Sequence, residues 1–129
     1  MFGKALFAAA LIALAAFGAA VAQQPDAIKR TPLQRVEFPS GHLTIVMQID
    51  VSANAAVARH VHPGIETGYV LEGESELMVD GRPPQRLKPG DTYEIPAGVP
   101  HSAQTGAQPT KIVATFVVDK TKPLASPAP

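Results

Sequence analysis

Three of the chain's four histidines sit where their side chains could meet. His60 and His62 are two positions apart, so on a strand both imidazoles project from one face and reach a common point. Pro63-Gly64 then turns the chain, which lets Glu66 return a carboxylate towards that point. His101 lies 35 residues beyond Glu66, just after the tight turn Pro96-Ala97-Gly98, and a later strand of a closed barrel would carry it across to the others. Three neutral imidazoles and one carboxylate form a borderline donor set suited to iron, manganese, nickel, copper or zinc, with open positions left for water, oxygen or substrate. A lone histidine near a turn is usually a surface or hydrogen-bonding residue. It is the grouping of four donors that points to a metal. His42, beside Gly41, falls outside the group.

Composition narrows the alternatives. The chain has 129 residues, no cysteine and 11 acidic against 11 basic side chains. Without cysteine there are no disulfides, thiolate metal sites or thiol nucleophiles, and a balanced charge offers no broad basic field for nucleic acid. Lys4 precedes an apolar run that closes on the small residues Ala20-Val21-Ala22, the pattern of a secretory signal over residues 1–22 with cleavage after Ala22. Export to the periplasm or medium follows, with no membrane contact once the signal is removed. The alternative is retention of Leu6 to Ala22 as a membrane anchor. In an oxidising compartment a cysteine-free fold must be held by its core or by a metal.

The elements that must position the donors read as strands. Leu43, Ile45, Met47 and Ile49 alternate with more polar neighbours, Leu77 and Val79 share a face, and Ile112, Ala114, Phe116 and Val118 make one continuous apolar face. Turn residues separate these runs, at Glu72-Gly73, Asp80-Gly81, Pro89-Gly90 and Pro96-Ala97-Gly98, with a longer loop at Arg82-Pro83-Pro84. The fold class is all-β, a sandwich or barrel over residues 41–119. An extended lead-in, residues 23–40, precedes it, and a flexible proline-rich tail, residues 120–129, follows. Met47, Tyr69, Met78, Tyr93 and Phe116 are candidate pocket walls, although ordinary packing also accounts for each. Arg59, Asp91, Arg82 and Arg86 read as solvated surface.

With these residues in place, the chain resembles the cupin superfamily. Its first motif appears as His60-Val61-His62, Glu66 and Gly73; its second as Gly90, Pro96, Gly98 and His101. The stretch between the motifs is short, as in small single-domain bacterial cupins. One departure is Thr105, where an Asn often closes the second motif. The resemblance implies a double-stranded β-helix, or jelly-roll, barrel, often a homodimer, with a divalent transition metal near its centre held by His60, His62, Glu66 and His101. Gly73, Gly90 and Gly98 are expected to serve turns at positive φ.

The expected function is that of a metal-dependent oxygenase- or oxidoreductase-like enzyme acting on a small organic molecule. Tyr69 or Tyr93 is the candidate acid or base. A non-enzymatic cupin that captures a metal ion or small metabolite is the alternative, and a structural barrel that has lost its metal is a third reading. Neither nucleic acid nor lipid is an expected partner.

Overall fold

The computed structural model describes residues 27–129. The signal or anchor expected over 1–22, and residues 23–26 of the lead-in, lie outside them. The elements are β1 (Ile28–Val36), β2 (His42–Val51), β3 (Ala56–Val61), β4 (Gly64–Glu72), β5 (Ser75–Val79), β6 (Gln85–Leu87), β7 (Thr92–Ile95), β8 (His101–Thr105), β9 (Thr110–Asp119) and β10 (Ser126–Pro127). Among the described residues there is no helix. Two five-stranded antiparallel sheets result, in the orders β1-β2-β9-β4-β7 and β10-β3-β8-β5-β6.

Alternation along the strands builds the core between these sheets. On β9, Ile112, Ala114, Phe116 and Val118 are buried while the residues between them are only half-buried. Their cross-strand partners on β2, such as Ile45 opposite Phe116 and Met47 opposite Ala114, present the same face. Val70, Leu77, Leu87 and Ile95 join the cluster from both sheets. A fully buried aliphatic such as Val70 or Leu87 stabilises the fold by roughly 1.5–3 kcal/mol. Between β2 and β5 the chain changes sheet at every connection, and it does so again from β6 to β10. Residues distant in sequence are thereby brought face to face.

Strand pairing extends on both sides of the span 41–119. The lead-in contains a full edge strand, β1, paired with β2 from Ile28 opposite Val51 to Val36 opposite Thr44. Pro32 is tolerated there because only one edge of β1 is paired and the register shifts just after it. The tail, expected to be flexible, is docked: Ser126 and Pro127 pair with Val61 and His60 of β3. A short strand on an otherwise open sheet edge satisfies backbone groups that periodicity does not reveal. The turns follow expectation, with Gly73, Gly90 and Gly98 at φ values of 76°, 90° and 71°.

Candidate metal centre

His60 lies near the end of β3, His101 opens β8, and the two are direct cross-strand partners in one sheet. Glu66 comes from β4 in the facing sheet, between Phe116 and Ile95 on its neighbouring strands. His62 sits in the crossing between β3 and β4, where its carbonyl accepts from the Gly98 N–H at 2.9 Å. The turn before His101 is thus tied to the turn after His62. Both motifs are locked at one end of the space between the sheets.

Each imidazole turns its Nδ1 towards a backbone carbonyl: Ala58 for His60 at 2.7 Å, Leu124 for His62 at 2.6 Å and Val99 for His101 at 3.0 Å. A carbonyl only accepts, so each Nδ1 carries a proton, and in the neutral ring each Nε2 is then a bare lone pair. Those lone pairs converge. The Nε2 atoms of His60 and His62 are 3.2 Å apart, and Glu66 Oε2 lies 3.0 Å from His62 Nε2 and 3.6 Å from His101 Nε2. The ligating atoms of the three histidines all fall within 4.8 Å of one another. His101 Nε2 is buried and has no hydrogen-bond partner. A proton on His62 could bridge one pair, to Glu66, but not the rest. A cation among the three Nε2 atoms would satisfy them together, with Glu66 Oε2 beside those of His62 and His101, so the donor set fits a metal ion.

Glu66 is only 5% exposed. Burial pushes its carboxyl up, but the His101 and His62 rings and the Tyr93 hydroxyl outweigh that and bring it down to about 2. Tyr93 donates to Oε1 at 2.7 Å, leaving Oε2 for the imidazoles. Burial, and then the adjacent carboxylate charge, raise the Tyr93 hydroxyl far above its ordinary value, so it serves as a donor and not as a base. Gly68 is the cross-strand partner of Tyr93, and a Cβ at position 68 would overlap the tyrosine ring. The missing side chain is what lets the ring cross β4 to reach Glu66. His60 is held below the ordinary histidine value, chiefly by burial, which keeps it neutral and able to donate its lone pair.

A family model for the cupin domain matches residues 46–116, more than half of the chain. The chain belongs to the cupin family. Over 50 residues this cupin is 44% identical to the dimethylsulfoniopropionate lyase DddQ of Ruegeria pomeroyi, a stretch covering 39% of this chain and 25% of that protein. The crystal structure of DMSP lyase DddQ from Ruegeria pomeroyi DSS-3 matches with a TM-score of 0.70 at 27% identity, over 80% of this chain and 52% of that one. A structure of the DMSP lyases RdDddP and RnDddQII matches in fold, with a TM-score of 0.67 at 20% identity over 79% and 53% of the two chains. This cupin therefore spans about half the length of the lyase structures it matches.

A cavity of about 1190 Å³ opens on His60 and His62, with Met47 and Phe116 in its wall and Phe116 edge-on to the His62 ring at 4.9 Å. Tyr93 lies deeper, on a small inner cavity of about 70 Å³ that also touches Glu66. Two candidate walls are corrected. Tyr69 is 47% exposed on the outer face, beside Arg82 and Glu94, because its neighbours Gly68 and Val70 take the inward positions of β4. Met78 turns outward because Leu77 and Val79 occupy the inner face of β5. His42 stays exposed, near the Ser40 carbonyl and outside the group. Sequence reasoning missed Gly68, Arg30 and Leu124, all of which touch the site or its cavity. Gly68, inside the first motif, was a visible signal, whereas the other two lie outside both motifs.

Proposed function

We propose that this cupin is a metal-dependent enzyme acting on a small organic acid, with a divalent transition metal held by His60, His62, Glu66 and His101. The observation that carries the reading is the convergence of three Nε2 atoms, each on a ring whose Nδ1 faces a backbone carbonyl, and one carboxylate oxygen, with His101 Nε2 buried and unpartnered. Bound there, the ion would supply Lewis-acid polarisation of a substrate oxygen. The chain's own residues set the rest. Phe116 and Met47 give the cavity an apolar side; among the described residues its formally charged lining residues are Arg30 and Arg59, the latter paired with Asp80, and no carboxylate lies in the wall. Arg30, which forms no ion pair among the described residues, is the lining group that would attract an anionic ligand.

The likeness to a lyase named for dimethylsulfoniopropionate, a carboxylate, supports elimination from a small acid as the first reaction to test. The oxygen-dependent chemistry expected from the donor set is the other arm of the same experiment. Protein loaded in turn with iron(II), manganese and zinc is incubated with dimethylsulfoniopropionate, other 3-substituted propionates, dicarboxylates and phenols, with and without oxygen, and products are separated by mass spectrometry. Turnover that needs the metal is the expected result; its oxygen dependence separates elimination from oxygenation. Metal binding with no product from any substrate overturns the enzymatic reading.

One observation favours a non-enzymatic binding role. Tyr93 is committed to Glu66 and Tyr69 lies outside the barrel, so among the described residues the cavity wall offers its imidazoles and no carboxyl or phenol to move a proton. A binder gives ligand-induced stabilisation without product in the same assay.

A further inference from the structure

The segment after β9 ends on the metal site. Leu124 packs part-buried against the core, and its carbonyl accepts from His62 Nδ1 at 2.6 Å. Ser126 and Pro127 then pair with Val61 and His60, the Ala128 N–H donates to the Arg59 carbonyl at 3.3 Å, and Arg59 Nε donates to the Pro129 oxygen at 2.5 Å. Arg59 is itself fixed by a two-pronged contact with Asp80 at 2.5 and 2.6 Å. Residues 124–127 thus lie along β3, the strand that carries His60 and leads into His62, and all four line the large cavity.

The other two ring acceptors, Ala58 and Val99, each lie two residues before the histidine they hold, so their orientation is local. His62 differs: its acceptor is 62 residues away. The ring's tautomer and direction therefore depend on whether the tail is docked.

We propose that the segment Leu124–Pro127 is a working part of the metal site: its Leu124 carbonyl orients His62 and its chain walls the cavity, so that displacing it loosens the metal and exposes it together. Leu124 acts here as a positioning residue, through its main chain. The inference rests on the reading of the three imidazoles as metal ligands.

The test compares the full chain, a chain ended after Lys122, and Leu124→Ala, which keeps the carbonyl. Cobalt(II) affinity is measured by chelator competition, and cobalt loss is followed on adding excess EDTA. Ending the chain is expected to weaken binding about 10- to 100-fold, the usual effect of removing a group that orients a ligand, and to speed loss to EDTA. Leu124→Ala should hold cobalt as the full chain does. Affinity unchanged in the shortened chain, or equally weakened in Leu124→Ala, overturns the proposal. A shortened chain that fails to fold leaves the decision to nuclear magnetic resonance on the metal-free full chain. There His62 should carry its proton on Nδ1, with scalar coupling across the hydrogen bond to the Leu124 carbonyl carbon. A proton on Nε2 instead overturns it. Should the full chain bind no cobalt, the metal reading fails, and the resonance experiment still decides the role of Leu124.

Discussion

At the scale of single residues, the site depends on groups that hold the donors as much as on the donors themselves. Tyr93 is the clearest case, because its hydroxyl takes one oxygen of Glu66 and leaves the other facing the imidazoles. Tyr93→Phe keeps the ring and removes that donor. The Glu66 carboxyl, now at about 2, should then titrate at higher pH, since burial still pushes it up and one of the groups holding it down is gone. The sign for stability follows. A carboxyl depressed in the fold stabilises it fully above the ordinary value of 4.5 and loses that contribution as pH falls towards 2. Metal-free Tyr93→Phe should therefore unfold in acid at a higher pH than the parent, by circular dichroism. Its metal affinity should fall about 10- to 100-fold. No change in either would leave Tyr93 as an ordinary core residue.

At the scale of elements, positioning comes from ties between strands and the loops beside them. Thr105, in the place where related cupins often carry Asn, closes the loop from β2 to β3: its hydroxyl donates to the Ser52 carbonyl at 2.5 Å and accepts from the Ala55 N–H at 3.0 Å. Thr105→Val conserves shape and deletes both bonds, for an expected loss of about 1 kcal/mol, measured by chemical denaturation; Thr105→Asn should recover most of it. The long, regularly alternating strands β2 and β9 were legible because each buries one face, which writes a two-residue period into the sequence. The three-residue β6, the proline-bearing β1 and the two-residue β10 were not. Such pieces are strands only because a partner edge accepts them, and a partner leaves no local pattern.

For the whole molecule, the donors come from both sheets, so metal and fold should be linked. His60 and His101 belong to one sheet and Glu66 to the other, and no disulfide can share the task in a chain without cysteine. A metal at a free concentration 100 times its dissociation constant should stabilise the fold by about 2.7 kcal/mol. Calorimetry should show a rise in melting temperature that EDTA reverses and that His101→Ala abolishes. A melting temperature indifferent to metal would mean that the folded chain binds the ion no more tightly than the unfolded chain does.

The residue order by itself determined the donor set, the all-β class and the family, because donor chemistry, strand period and motif spacing are local properties of the chain. Tertiary structure alone decided which atoms the donors present. The Leu124 carbonyl sets His62 from 62 residues away, Tyr93 claims half of Glu66 from 27 residues away, and the inward demands of Val70, Leu77 and Val79 turn Tyr69 and Met78 out of the cavity. Spacing says which residues of a strand share a face. Which face meets the site, and what lies across from it, is settled only when distant strands pair.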